Sequence, residues 1–127
     1  MIDFINIGQP SQLLLKYLLD RPLAWAPERT IHYRDLREMT YRTFFERVQR
    51  AANLLTRLGI GHGDRVGVMD VDSHRYLELF FAVPMIGAIL HTINVRLSPE
   101  QTLYTIDHAG DRLLFVGCAA NGGPRGQ

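Results

Sequence analysis

Two aspartates and a histidine follow a short apolar run near the middle of the chain, and together they could hold a metal ion. They are Asp70, Asp72 and His74, in the sequence DVDSH. Carboxylate oxygens and imidazole nitrogens bind divalent cations, and this spacing brings three ligands to one ion if the loop curls around it. No further ligand follows at a recognised spacing, and Asp72 or Ser73 has an ordinary use as the N-cap of the next helix. We therefore favour helix capping over a metal site.

A second polar group ends the next apolar run. His91, Thr92 and Asn94 stand there, and Asp70 ends the run before it. Open α/β sheets bind ligands at the carboxyl ends of their parallel strands, so these positions are candidates for a ligand site. For His91 we favour a buried, hydrogen-bonded histidine over a catalytic one.

Composition excludes several classes of protein. A net charge of +1 over 127 residues argues against an electrostatic nucleic-acid binder. The single cysteine, Cys118, excludes an internal disulfide and predicts a reducing compartment, the cytoplasm. It lies in a Gly-rich stretch without a nearby histidine, which makes it a poor nucleophile. The most apolar stretch, Leu79–Leu90, is shorter than the roughly 20 residues of a membrane-spanning helix, so we predict none.

The candidate residues are positioned by three apolar runs within Leu58–Val116. The runs are Val66–Met69, Ala88–Ile93 and Leu113–Val116, and helix-like segments separate them. Strands and helices alternating at this spacing predict βαβ units and a parallel sheet, hence an α/β fold. The runs are almost entirely apolar, which predicts strands that are covered on both faces.

The helices are predicted from apolar spacing and capping residues. The clearest begins after a Thr40 cap, carries its apolar residues on one face, and ends at Gly59. Its other face, which includes Arg47, is predicted to be solvated. A second helix is predicted over His74–Met85.

A third helix opens with the sequence SPEQ. Ser98 is its cap and Gln101 closes a capping box. Leu103 and Ile106 are predicted to face the core, and Gly110 to end the helix.

The N-terminal region carries weaker signals. A helix over Gln12–Asp20 is predicted from Leu spacing, with Ser11 as its cap and Pro22 as its stop. A short strand or hairpin is predicted near Arg29–Asp35.

Three glycines at positions 59, 61 and 63 resemble half of a dinucleotide-binding fingerprint. Such a loop must follow a strand and open a helix, so that the helix N–H groups point at a phosphate. Here the glycines follow a helix and precede a strand, so we interpret Gly63–Val66 as a turn that leads into the sheet.

The sequence from Gly59 to Val116 resembles a known family. The stretches LG-x-G-x-GDRVGVM, Y-LELFFAVPMIGAILHTINVRLSPEQ and Y-I-HAGDRLLFV are similar to the N-terminal part of the AMP-forming acyl-CoA synthetases, in the adenylate-forming superfamily. Tyr33 and the stretch TYRTFFERVQRAANLL at Thr40–Leu55 extend the resemblance over most of residues 11–116. The HTIN-x-RLSPEQ form is similar to the medium- and long-chain fatty-acid branch.

The resemblance implies a fold and an activity for the complete enzyme. Residues 1–116 would form the first part of the large N-terminal domain, built of parallel-sheet βαβ units, and residues 117–127 a Gly-rich, disordered tail. The complete enzyme would join a fatty acid to CoA, using ATP and Mg²⁺ and releasing AMP and pyrophosphate.

The residues that would perform this chemistry have no counterpart in the chain. The family's Ser/Thr/Gly-rich phosphate loop with its lysine is missing, because Lys16, the only lysine, lies near the N-terminus. The resemblance therefore assigns no catalytic, cofactor-binding or metal-binding residue, and no cofactor to this chain by itself.

We expect a truncated, inactive portion of a fatty-acid–CoA ligase, with the reading frame lost or the gene truncated near Gly117. The alternative is a non-enzymatic α/β interaction module, for example one that forms a homodimer.

Overall fold

The structure, a computed structural model, describes residues 14–117. From Thr40 onward the elements follow the order that the sequence predicts. They are a 3-10 helix at Leu15–Leu18, α1 at Asp20–Trp25, β1 at Thr30–Tyr33, β2 at Arg37–Thr40, α2 at Tyr41–Arg57, β3 at Arg65–Met69, α3 at His74–Met85, β4 at Ile89–Thr92, α4 at Pro99–Ala109 and β5 at Leu113–Val116.

The three predicted strands form one parallel sheet in the order β4-β3-β5. Val66 of β3 pairs with Leu90 of β4 on one side and with Leu113 of β5 on the other. The α/β fold with parallel βαβ units is therefore confirmed. The connection from β3 to β4 crosses the sheet in one direction, and the connection from β4 to β5 crosses it in the opposite direction, past β3. Because such crossovers are right-handed, α3 and α4 lie on opposite faces of the sheet.

The core lies on the α3 face of this sheet. The Thr40 hydroxyl caps α2 by accepting a hydrogen bond from the Thr43 N–H at 3.1 Å, and the apolar stripe of α2 packs against α3. Gly59, at φ +81°, turns the chain out of α2 as predicted. The buried side chains of this layer include Phe44, Val48, Leu55, Val66, Val68, Leu79 and Val83.

The opposite face of the sheet is poorly covered, which contradicts the prediction of strands buried on both sides. Ile89, Leu114 and Val116 are 51%, 37% and 53% exposed. No described residue of α4 is buried, and Leu103, predicted to face the core, is 64% exposed. An apolar strand sequence indicates that both faces of the strand are suited to burial. It does not indicate whether these residues of the chain include the elements that would pack on each face.

The N-terminal helix prediction was wrong. Its first residues and its Ser11 cap lie outside the described residues, and the rest forms the 3-10 helix followed by α1. Pro22 does not stop a helix but is the third residue of α1. It fits there because an N–H in the first helical turn has no intrahelical acceptor, so proline loses no hydrogen bond.

The hairpin is longer than predicted. β1 pairs antiparallel with β2, from Thr30 opposite Thr40 to Tyr33 opposite Arg37, and Arg34 makes the turn at φ +48°. The second strand was missed because the sequence REMT carries little apolar alternation. It ends at the residue that caps α2, so the hairpin is joined to α2 without a loop.

Both capping predictions at the later helices are confirmed. Ser73, one of the two proposed caps, accepts a hydrogen bond from the Tyr76 N–H at 3.1 Å. Ser98 and Gln101 form the reciprocal capping box of α4, and Gly110 ends this helix in the left-handed conformation.

Candidate functional site

The Asp70 carboxylate is used locally at the carboxyl end of β3. It accepts hydrogen bonds from the Val71 N–H at 2.7 Å and from the Ser73 hydroxyl. A Cβ on Gly117 would overlap this carboxylate, so Asp70 lies directly against the end of β5. Asp70 therefore orders the β3–α3 loop and holds Ser73 in its capping position.

Asp72 and His74 do not form a metal centre with Asp70 in the described part of the chain. Asp72 is exposed and has φ +36°, a left-handed conformation that aspartate tolerates better than most residues. His74 is the first residue of α3, and its ring lies 5.4 Å from that of Tyr33 in the hairpin. Within residues 14–117 no group of three or more His, Cys, Asp or Glu side chains is placed to hold a metal ion.

The imidazole of His74 is enclosed without polar partners. Both of its ring nitrogens are buried, and neither has a hydrogen-bond partner among the described residues. This burial lowers the pKa of His74 below its ordinary value of 6.5, and the Glu78 carboxylate opposes the shift. The site therefore keeps the ring neutral, so at neutral pH His74 does not act as a positively charged group or as an imidazolium acid.

Thr92 serves a neighbouring tyrosine. Burial raises the pKa of the Tyr76 hydroxyl above 10.0, whereas its hydrogen bond with Thr92 lowers it, and the Asp72 and Asp70 carboxylates add smaller upward shifts. Tyr76 is thus kept as a neutral phenol near two carboxylates.

His91 pairs with Asp111, which was not a candidate in the sequence. Its Nδ1 lies 2.7 Å from Oδ2 of Asp111, whose side chain is 1% exposed. His91 lies on the poorly covered face of the sheet, in register with Gly67 and Leu114. His91 is therefore hydrogen-bonded as favoured, but it is half-buried rather than buried, with 22% of its side chain exposed. The pair joins β4 to the segment that enters β5.

Asn94 completes a turn after β4. Its side-chain oxygen accepts a hydrogen bond from the Arg96 N–H at 2.9 Å, which is an ordinary use of asparagine in a turn. The two groups of sequence candidates therefore do not converge on a single catalytic centre, and the remaining candidate, Cys118, lies outside the described residues.

A buried ion pair was missed by the sequence analysis. Arg47 was assigned to the solvated face of α2, but its guanidinium contacts Glu78 of α3, whose side chain is 9% exposed. The sequence signal was weak. Glu78 is a charged residue within an apolar helix, which indicates a partner of opposite charge but does not identify that partner.

The side chains described here do not fit the ATP phosphates or Mg²⁺ of the family implied by the sequence. The only lysine, Lys16, lies in the 3-10 helix near the Tyr17 ring, and the loop that precedes β3 does not open a helix. No step of an ATP-dependent reaction is therefore assigned to these residues. Among the described helices, none has the length and hydropathy needed to span a bilayer.

Comparison with known proteins gives one consistent result. The sequence model of the family described as AMP-binding enzyme matches residues 19–125. The chain is 42% identical over 85 residues to the long-chain-fatty-acid–CoA ligase of Thermus thermophilus, covering 67% of the chain and 16% of that protein. It is 45% identical over 67 residues to a 3-methylmercaptopropionyl-CoA ligase of Ruegeria lacuscaerulensis, covering 53% of the chain and 12% of that protein.

A solved structure extends the comparison to three dimensions. The N-terminal domain of FACL13 from Mycobacterium tuberculosis matches 80% of the chain with a TM-score of 0.75 and 26% identity, and the match covers 26% of that domain structure. The chain thus spans a small part of each protein that it resembles.

Proposed function

The chain belongs to the AMP-binding enzyme family, and on that premise we propose that it is the first portion of a fatty-acid–CoA ligase. Residues 1–116 would be part of the large N-terminal domain, and residues 117–127 a tail. The complete enzyme would convert ATP, a fatty acid and CoA into acyl-CoA, AMP and pyrophosphate. The observation that carries the proposal is the family match over residues 19–125, and the 42% identity to a long-chain ligase favours a fatty acid as substrate.

The uncovered face of the sheet supports the proposal that the chain is part of a larger domain. Ile89, Leu114 and Val116 present apolar side chains on one face of the sheet and are each more than a third exposed. Apolar side chains exposed on one face of a sheet suit an interaction surface. In the complete domain we expect later residues of the ligase to cover it.

We propose that the chain by itself does not form an acyl-adenylate. Adenylate formation requires groups that orient the ATP phosphates and stabilise the charge that develops on them. These groups, together with the sites for Mg²⁺ and CoA, would come from the remainder of the enzyme. A cytoplasmic location of the protein, which the cysteine content predicts, remains a prediction.

A chimera tests the proposal. Residues 14–117 would replace the corresponding stretch of the Thermus thermophilus ligase, and fatty-acid-dependent release of pyrophosphate would be measured beside the parent enzyme. We expect an active chimera and no activity from the isolated chain. A folded chimera without activity would contradict the ligase proposal, and activity of the isolated chain would contradict its dependence on further residues.

The exposed apolar face also favours a second candidate, an interaction module that forms a homodimer. In that case Val116→Glu, at the most exposed apolar residue of β5, should convert a dimer into a monomer in sedimentation velocity. An isolated chain that is monomeric before the substitution would rule out this candidate.

A further inference from the structure

A cavity of about 270 Å³ lies between the β1–β2 hairpin, the start of α2 and the first turns of α3. Ligand sites in proteins are commonly about 300–1,000 Å³, so this cavity suits a ligand of a single ring. None of the residues discussed for the ligase reaction is needed to form it, and it lies on the covered side of the fold, away from the exposed sheet face.

Aromatic side chains dominate the wall of the cavity. Tyr33, Phe44, His74, Tyr76 and Phe80 all line it. Two pairs of these rings already pack together, Tyr33 with His74 at 5.4 Å and Tyr76 with Phe80 at 5.0 Å between centroids. Rings attract one another in tilted and offset arrangements, so a further ring extends a packing pattern that the wall already contains.

The inner wall offers carbon rather than charge. Both nitrogens of His74 are buried among protein atoms, so the part of this ring that faces the cavity is carbon. The lowered pKa of His74 keeps the ring uncharged. An apolar ring makes no hydrogen bonds to water. The wall therefore need not supply any hydrogen bond when such a ring binds against it.

The polar end of the cavity contains Asp72. Asp72 is an exposed residue that lines the cavity, and its backbone is held at φ +36°. Strained backbone at a cleft is a feature that functional sites share. Tyr76 lines the same cavity, so Asp72 and the Tyr76 side chain share its wall.

We propose that this cavity binds a small aromatic molecule that carries one hydroxyl group and no negative charge. The ring would lie among Tyr33, Phe44 and Phe80, and the hydroxyl would donate a hydrogen bond to the Asp72 carboxylate. An anionic ligand is disfavoured, because the carboxylate of Asp72, which lines the cavity, repels an anion. The ligand is thus distinct from the carboxylate substrate of the proposed ligase.

Titration of the full chain with phenol tests the site. Chemical-shift changes in a two-dimensional amide spectrum should saturate with a dissociation constant on the order of 1 mM, typical for a ligand of seven heavy atoms. Tyr33, Phe44, Tyr76 and Phe80 should show the largest changes. Benzoate should bind at least about tenfold more weakly.

Two substitutions connect the binding to the cavity. Leu77, a half-exposed residue that lines it, can be replaced by tryptophan to fill the space, and Leu77→Trp should abolish saturable phenol binding. The matched control is Leu103→Trp, at an exposed leucine of α4 outside the cavity, which should bind phenol as the wild type does. Asp72→Asn should weaken phenol binding several-fold and reduce the discrimination against benzoate.

The proposal is overturned if phenol shows no saturable binding, if Leu77→Trp binds as the wild type does, or if benzoate binds as tightly as phenol. Asp72→Asn keeps the test decisive should Leu77→Trp fail to fold, because an exposed carboxylate contributes little to the core. Neither result depends on ATP or on an active chimera, so failure here is distinguishable from failure of the ligase proposal.

Discussion

The guanidinium of Arg47 in α2 donates two hydrogen bonds to the Glu78 carboxylate in α3, over N–O distances of 2.6 and 3.2 Å. The pair lies where the two helices pack, with side-chain exposures of 25% and 9%. Two-point contact between planar groups fixes their relative orientation as well as neutralising their charges. It therefore sets the alignment of α3, whose first turns carry Ser73, His74 and Tyr76.

Removal of one member of this pair should cost more stability than removal of both. Arg47→Met leaves the Glu78 charge buried without its partner and should lower the free energy of unfolding by about 3 kcal/mol. The double variant Arg47→Met/Glu78→Leu should recover most of that loss. Urea unfolding measures both. The control is Glu46→Gln, which breaks the exposed contact with Arg50 at 3.6 Å and should change stability by less than about 0.5 kcal/mol. Equal losses in the single and double variants would contradict the argument.

Stability should fall as the solution becomes mildly acidic, partly through His74. Its pKa is lower in the folded chain than the 6.5 of an exposed histidine, so the unfolded chain binds more protons over that interval. The contribution of His74 is thus complete above pH 6.5 and is lost as the pH falls toward the folded value. His74→Phe keeps a ring against Tyr33 and should flatten the dependence of unfolding free energy on pH between about 7 and 5. The same profile for His108→Phe, on the exposed helix α4, should retain its slope.

Asp64 should contribute to the loss of stability at lower pH. The Gly61 N–H, which donates to its carboxylate at 2.8 Å, lowers the pKa of Asp64 below 3.8, and the Arg112 guanidinium lowers it further. A carboxyl whose pKa is lowered on folding stabilises above its unfolded value and loses that effect as pH falls through the folded value. Asp64→Asn should therefore reduce the slope of stability against pH below pH 3.8. An unchanged slope there would show that the hydrogen bond from Gly61 does not persist in solution.

Gly67 should not tolerate even one methyl group. A Cβ at this position would lie 2.8 Å from Oδ2 of Asp111 and 2.9 Å from Cδ1 of Leu114. Gly67→Ala should thus lower the free energy of unfolding by about 2 kcal/mol and disturb the His91–Asp111 pair, visible as a shift of the His91 ring resonances. Gly61→Ala, whose Cβ would meet its nearest neighbour at 4.0 Å, is the matched control. Thermal unfolding of the two variants would differ by several degrees.

The sequence predicted the elements whose signals are local. The Thr40 and Ser98 caps, the apolar stripe of α2 and the strand pattern around Val66 each rest on residues a few positions apart, and the structure confirms them. Pro22 was misinterpreted because the rule for proline depends on its position within the helix, and that position was not known before the helix start was known. Leu103 was misplaced because its spacing indicates an apolar helix face but not what lies opposite.

The side-chain pairs could not be predicted, because they join residues that are distant in sequence. Asp111 is 20 positions from His91, and Glu78 is 31 from Arg47. The cavity beside His74 likewise requires the hairpin to fold against α3. Family resemblance added the ligase chemistry, but it assigned no residue of this chain to that chemistry.

The strand order β4-β3-β5 has a consequence for how the chain folds during synthesis. Each partner of β3 is made after it, with Arg65 paired to a residue 24 positions later and Val66 to one 47 positions later. The hairpin, α2, α3 and β4 can thus assemble on the ribosome before β5 emerges, since local contacts form early and distant ones wait for the chain. Until β5 arrives, the side of β3 that it will occupy is an open edge with unpaired backbone groups, and this is the interval in which a nascent chain is most exposed to wrong partners.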